Sequence, residues 1–273
     1  MNDLVQFLRA GAKGDLLPWA VQTEAAARFA RSLAEVEAAA LGADLLPLRY
    51  ARNRNALSTA DQKRLFASRV VVIGCGGLGG YLVEELARLG VGTLDLVDPD
   101  VFEEHNLNRQ LLSTPDLLGI PKVQAAERRV ASINPAVTVR PHRVAFGSTN
   151  AEALLTGADA VADGLDNQLT RRTLAASCHA LALPLVHGAI GGWYGQVSTQ
   201  LPGEDLTSLL GAGEGDGKGV EAGLGNLSFT PAVVASLQVA EVLKVLVGAG
   251  RPLSRRALFL DLHEMQFEVL NRA

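Results

Sequence analysis

Cysteine is nearly absent from this chain of 273 residues. The two that occur, Cys75 and Cys178, cannot build a disulfide framework, and no Cys-x-x-Cys pair exists, so no zinc is expected. Charge of one sign is not in excess either. The formal net charge is −4, which supplies no global field for nucleic acid. The first residues lack a basic stretch followed by an apolar one, so no signal peptide is expected. No apolar run reads as long enough to span a bilayer, so no membrane is expected as a partner. There is no internal repeat. A reducing, cytoplasmic setting fits these absences. What remains is 48% hydrophobic and 20% charged, ordinary for a globular α/β chain large enough for one domain plus an appendage.

Residues 1–47 read as an N-terminal helical extension. Ala26, Phe29, Ala30, Leu33 and Val36 recur at helical spacing within one helix from about Pro18 to Leu41. Residues 48–273 read as the main domain. Ser58 caps a helix there, with Asp61 three residues on. Strands are expected at Val70–Ile73, Thr93–Asp98, Val137–Pro141, Ala158–Ala162 and Pro184–His187. Helices over Leu78–Leu89, Lys122–Ile133 and Gln168–Leu181 separate them. This alternation argues for a Rossmann-like, doubly wound, mainly parallel sheet. The C-terminal part changes to antiparallel strands at Gly195–Leu201, Leu258–Leu262 and Gln266–Leu270. A glycine-rich segment, Pro202–Asn226, reads as a long mobile loop, and Pro231–Val247 as a strongly apolar helix.

The most informative stretch is Val70–Gly79, a buried strand running into a glycine turn and a helix start. Gly74 permits the tight turn, Gly76 and Gly77 let backbone approach phosphate, and Gly79 lets helix and strand pack closely. Asp98, at the end of the next strand, sits where an acid accepts hydrogen bonds from a ribose. On its own this turn suits NAD or FAD as well as ATP. The residues after Asp98 shift the balance. Arg109 and Lys122 set two cations near the phosphates, where they favour attack on an α-phosphate and departure of pyrophosphate. Two solvated surface cations are the plain alternative. Asp166, just past the fourth strand, is a candidate Mg²⁺ ligand; its plain alternative is an N-cap for the next helix.

Taken together, Arg49-Tyr50-Ala51-Arg52-Asn53, Gly74-x-Gly76-Gly77-x-Gly79, Asp98-Pro99-Asp100, Asn106-x-x-Arg109-Gln110, Pro121-Lys122 and Leu165-Asp166-Asn167 resemble the ThiF/MoeB/HesA branch of the ubiquitin-activating superfamily. The resemblance runs from about Leu48 to the C-terminus, with the motifs in the family's order and spacing. It implies a nucleotidyltransferase that uses ATP and Mg²⁺ to adenylate the C-terminal glycine of a small ubiquitin-like sulfur-carrier protein. Pyrophosphate is released, in thiamine or molybdopterin-type cofactor biosynthesis. It also implies roles for single residues. Asp98 would bind the ribose. Asn106, Arg109 and Gln110 would contact phosphates. Lys122 would hold the α- and β-phosphates, and Asp166 the Mg²⁺. Arg52 matches the arginine that reaches into a neighbouring subunit's ATP site, so a homodimer is implied.

Two departures stand out. The zinc-binding cysteine pairs of many relatives are missing, and Pro202–Asn226 contains no cysteine to form a thioester or persulfide. Cys75 and Cys178 read as packing residues, so no covalent enzyme–carrier thioester is expected. His187 reads as a satisfied buried histidine rather than one facing the ligand, and Trp193-Tyr194 as core rather than a surface under the carrier tail. Glu204, Asp205, Glu214 and Asp216 are acids that could steer a basic carrier face or simply be solvated. The alternatives are an ATP-dependent tRNA-base dehydratase of the same superfamily, an NAD-binding oxidoreductase, and a non-catalytic relative.

Overall fold

The structure, a computed structural model, describes residues 2–207, 209, 210 and 221–272. In the N-terminal part, α1 (Asn2–Gly11), β1 (Leu16–Leu17), α2 (Trp19–Phe29), α3 (Leu33–Gly42) and β2 (Leu46–Pro47) enclose an apolar cluster of their own. Leu8, Leu17, Ala25, Val36 and Ala40 are fully buried in it. The single helix expected from Pro18 to Leu41 is therefore two. Ala30 ends α2 in the left-handed region at φ 49°, and Ser32 opens α3 with a capping box to Glu35. The Ser-x-x-Glu signal was present in the sequence, but the apolar period runs through the break and conceals it.

The capping box at Ser58 does start α4 (Thr59–Ala67) as expected. The Ser58 hydroxyl and its backbone N–H both donate to Asp61 and hold that carboxyl down at about 2, against an ordinary 3.8. A carboxyl depressed by folding stabilises above its unfolded value and loses that contribution as pH falls toward its folded value. Asp61 therefore contributes at neutral pH, and the contribution fades from pH 3.8 down to about 2. Ser58→Ala should cost about 1 kcal/mol at pH 7 and progressively less in acid. Urea unfolding at pH 7 and near pH 2.5 checks this; an equal cost at both would contradict it.

The main domain alternates β3 (Arg69–Ile73), α5 (Gly77–Leu89), β4 (Thr93–Val97), α6 (Lys122–Ile133), β5 (Thr138–His142), α7 (Ala151–Leu155), β6 (Ala160–Asp163), α8 (Gln168–Ala180) and β7 (Leu185–Gly191). It ends with β8 (Tyr194–Gln200), α9 (Glu221–Leu224), α10 (Phe229–Val247), β9 (Arg256–Asp261) and β10 (Gln266–Asn271). All eight strands from β3 onward form one sheet in the order β10-β9-β8-β7-β6-β3-β4-β5. Strands β5, β4, β3, β6 and β7 are parallel, and β7 to β10 continue the sheet antiparallel. The inner strands read as apolar runs because both faces are covered. One face packs on α5, α6 and α10, the other on α7 and α8. The expected fold class is thus observed. The fifth main-domain strand is longer than expected, since it runs on to Gly191 and turns at Gly192 (φ 55°) into β8.

Two further expectations change. The α10 helix, with 19 residues and a mean hydropathy of 1.6, is long and apolar enough to cross a membrane, contrary to the sequence reading. Here half of it is buried inside the domain. Its Gln238 amide donates to the Asp163 carbonyl at 2.9 Å, and its Glu241 carboxylate accepts from the Thr199 hydroxyl at 2.6 Å. Pro202–Asn226 is not one continuous loop in its described parts. Leu206 and Leu210 are buried on the α8 side, Glu204 accepts from the Leu201 N–H at 3.2 Å, and Glu221–Leu224 is helical. Residues 208 and 211–220 lie outside the described residues, and Glu214 and Asp216 with them.

Candidate active site

The strand order reverses direction between β4 and β6, on either side of β3. Ligands of parallel sheets bind beyond the strand ends at such a point. A cavity of about 560 Å³ opens there. Its floor is the turn after β3. Gly74 has φ 93°, and a Cβ on it would lie 2.5 Å from the Gly164 carbonyl oxygen. Gly76 and Gly77 bring the start of α5 to the cavity, so unpaired helix N–H groups face it. Gly79 does not line the cavity. A Cβ there would lie 1.8 Å from the Gly74 carbonyl oxygen, so it serves close packing, as expected.

Asp98 directly follows β4 and is 5% exposed. One carboxylate oxygen accepts from the Cys75 N–H at 2.7 Å and the other from the Asp100 N–H at 2.8 Å. Burial pushes this carboxyl up, while the two backbone bonds and the nearby Lys122 charge oppose that rise. Lys122, the first residue of α6, is 7% exposed, and its Nζ donates to Asp100 at 3.0 Å. Asp100 is thus the resting partner of the cation expected to meet phosphate. In the sequence it stands out only as the last residue of the Asp98-Pro99-Asp100 motif. Arg109 lines the cavity, with Nη1 donating to the His105 carbonyl at 3.0 Å and Asn108 Oδ1 at 2.9 Å.

Gln110 also lines the cavity and is buried; its Oε1 finds no partner among the described residues. The Gln110 amide lies beside the phosphate turn, and an orphaned buried acceptor there fits a site completed by a hydrogen-bond donor of a ligand. Mg²⁺ is commonly held by one or two carboxylates plus substrate phosphates, so the exposed Asp166 carboxylate, in the same cavity as Arg109 and Lys122, suits the pair Mg²⁺ and ATP.

Asp166 is exposed on the cavity wall. It is not the helix cap: the Asn167 side chain accepts from the Thr170 N–H at 2.8 Å and does that work. The loop carrying Asp166 is shaped from beneath. Asp163 Oδ1 accepts from the Leu165 N–H at 2.9 Å, and Arg171 Nη2 donates to the Leu165 carbonyl at 2.7 Å. His187, fully buried, bonds Asp163 at 2.7 Å through Nδ1 and faces Gln196 through Nε2 at 3.1 Å. It is the satisfied buried histidine expected.

Other placements differ from expectation. Asn106 is 3% exposed and absent from the cavity wall; its Oδ1 accepts from the Glu103 N–H at 3.0 Å. It shapes the loop that carries Arg109 rather than facing phosphate. Arg52 is exposed and also absent from the cavity of its own chain. Trp193 and Tyr194 are not core: they are 41% and 48% exposed, with the Trp193 ring 4.9 Å from that of Phe229 and tilted 51° to it. Sequence reasoning missed Arg171, Phe146 and Asn226 on the wall. Arg171 sits one helical turn inside α8 with no local signal, because its partner Asp163 arrives from β6. Both cysteines are fully buried. Burial drives the Cys75 thiol far upward, and it pushes Cys178 up to about 12, Asp163 adding to the effect. Neither is a thiolate near neutral pH.

The sequence matches the ThiF family over residues 50–273. It is 38% identical over 226 residues to the SAMP-activating enzyme E1 of Haloferax volcanii, covering 81% of this chain and 84% of that protein. It is 36% identical over 210 residues to the molybdopterin-synthase adenylyltransferase of Escherichia coli, covering 76% and 84%. Among solved structures, Escherichia coli MccB with ATP shares the fold, with a TM-score of 0.70 at 21% identity, covering 82% of this chain and 71% of that one. A match spanning most of the chain, on a phosphate turn and cation pair gathered into one cavity, places it: the chain belongs to the ThiF family.

Proposed function

We propose that this chain adenylates the C-terminal glycine carboxylate of a small ubiquitin-like sulfur carrier. It uses ATP with Mg²⁺, acts as a homodimer and works in the cytoplasm. Relatives named for adenylating sulfur carriers and molybdopterin synthase support the reaction class. The observation that carries the reading is the convergence of Asp98, Arg109, Gln110, Lys122 and Asp166 on one cavity at the switch point of the sheet.

The chemistry needs no protein nucleophile, since the carrier carboxylate itself attacks the α-phosphorus. One P–O bond forms, the bond to the β-phosphate oxygen breaks, and pyrophosphate leaves. Mg²⁺ held by Asp166 would neutralise phosphate charge. Asp98, with both oxygens fixed by backbone N–H groups, presents its remaining lone pairs to the ribose hydroxyls. Lys122 exchanges Asp100 for phosphate oxygens. Arg109 and the N–H groups of α5 neutralise charge that grows as pyrophosphate departs. Catalysis is positioning plus electrostatics. With both cysteines buried and protonated, the acyl adenylate is passed on without an enzyme thioester.

Arg52 is exposed and does not line its own cavity, so its proposed place is the site of a second copy. With a carrier ending in Gly-Gly, the purified chain should exchange labelled pyrophosphate into ATP, and a carrier lacking the last glycine should not support exchange. Arg52→Ala should lower exchange about tenfold or more. Mixing it with Asp166→Ala under subunit exchange should restore part of the activity, because one composite site is then intact. Carrier-independent exchange counts against the substrate class. No recovery in mixtures shown to contain heterodimers counts against the cross-subunit role.

A further inference from the structure

The family match begins at Tyr50, so the small helical cluster before it lies outside the adenylation domain. That cluster grips the segment that leads into Arg52. The Arg49 guanidinium pairs with Glu37 of α3, donates to Gln22 Oε1 of α2 at 2.7 Å, and lies 5.0 Å over the Trp19 ring. Glu37 is fully buried, and its second oxygen accepts from the Tyr50 hydroxyl at 2.7 Å. The Tyr50 oxygen in turn accepts from Asn134 Nδ2 at 2.8 Å, at the end of α6, and the same amide donates to the Ala87 carbonyl of α5 at 2.8 Å. One polar chain thus runs from the extension, through Arg49 and Tyr50, to the two helices whose other ends form the phosphate site. Two residues further on, Arg52 is exposed, and Arg54 is tied back by an ion pair to Asp15 of the extension.

We propose that residues 2–47 are a positioning element for Arg52, with Glu37 as its central residue. A fully buried carboxylate cannot give up its partners cheaply. Arg49 and Tyr50 are therefore fixed, and the chain leaves them in one direction. An arginine presented on such a fixed stalk meets a second copy's phosphates with less ordering cost than one on a free tail. The inference rests on the reading that Arg52 acts in a second copy.

Glu37→Gln in the full chain tests it. The amide keeps the shape but sets a donor against either Arg49 or the Tyr50 hydroxyl, which already donate. The expected result is a kcat for pyrophosphate exchange lower by about tenfold with the KM for ATP unchanged, because the ATP pocket of each chain is intact. Amide hydrogen exchange over residues 48–57 should accelerate. Glu37→Gln combined with Arg52→Ala should be no slower than Arg52→Ala alone, since both remove one contribution. A general structural defect would instead slow the double variant further. If Glu37→Gln does not fold, Arg49→Lys is measured in the same way. It keeps a cation beside Glu37 but lacks the planar fork that spans Glu37 and Gln22. A slow Arg52→Ala with a fully active, equally protected Glu37→Gln overturns the inference alone. A fully active Arg52→Ala overturns the cross-subunit reading beneath it.

Discussion

Asp166→Ala should reduce ATP–pyrophosphate exchange by at least about 10³-fold while leaving the unfolding midpoint within about 2 °C of the parent. The two halves of that expectation come from different observations. Asp166 is exposed on the cavity wall, so truncating it opens no hole in a core. Its loop is shaped by Asp163 and Arg171 below and by the Asn167 cap beside it, none of which needs the Asp166 carboxylate. Three acids line the cavity; Asp98 accepts from two backbone N–H groups and Asp100 holds Lys122, so Asp166 is the acid proposed to meet a metal beside the phosphates. Asp166→Asn should fail almost as completely, because shape is kept and charge is lost. Near-normal exchange in either variant removes the metal role.

Gly79→Ala should act in the opposite sense, through the fold rather than the chemistry. Its Cβ would lie 1.8 Å from the Gly74 carbonyl oxygen and 2.6 Å from the Gly74 carbonyl carbon, and neither is a side chain that can swing away. The start of α5 would have to lift off β3, carrying the phosphate turn with it. The expected cost is about 3 kcal/mol or more, or no soluble protein. Gly77→Ala is the control. There the added Cβ meets Pro231 at 3.6 Å, an ordinary contact, so stability should be nearly unchanged. Thermal unfolding of the pair checks the contrast; a stable, well-folded Gly79→Ala protein would show that the turn is more compliant than its geometry implies.

The contrast also shows how far a motif reaches. The four glycines look alike as letters, and the sequence assigns them to one turn. Only the packed structure separates Gly79, where a Cβ would strike a backbone oxygen, from Gly76 and Gly77, where it would make ordinary contacts with Gln110 and Pro231. Asn106 and Gln110 differ in the same way. Both sit in one motif, yet Asn106 is consumed by a backbone bond in its own loop, while Gln110 keeps a free acceptor at the cavity.

Sequence alone determined the alternating parallel strands, the glycine turn, the capped α4, and the order of Asp98, Arg109, Lys122 and Asp166. These are local matters of period, turn chemistry and spacing, which neighbouring residues decide. Tertiary structure decided the rest: that α2 and α3 are separate helices, that α10 lies against the sheet, that Arg171 and His187 meet Asp163 beneath the site, and that Glu37 binds Arg49 and Tyr50. Each depends on partners brought together from distant parts of the chain, and a buried charge has no address until its partner arrives.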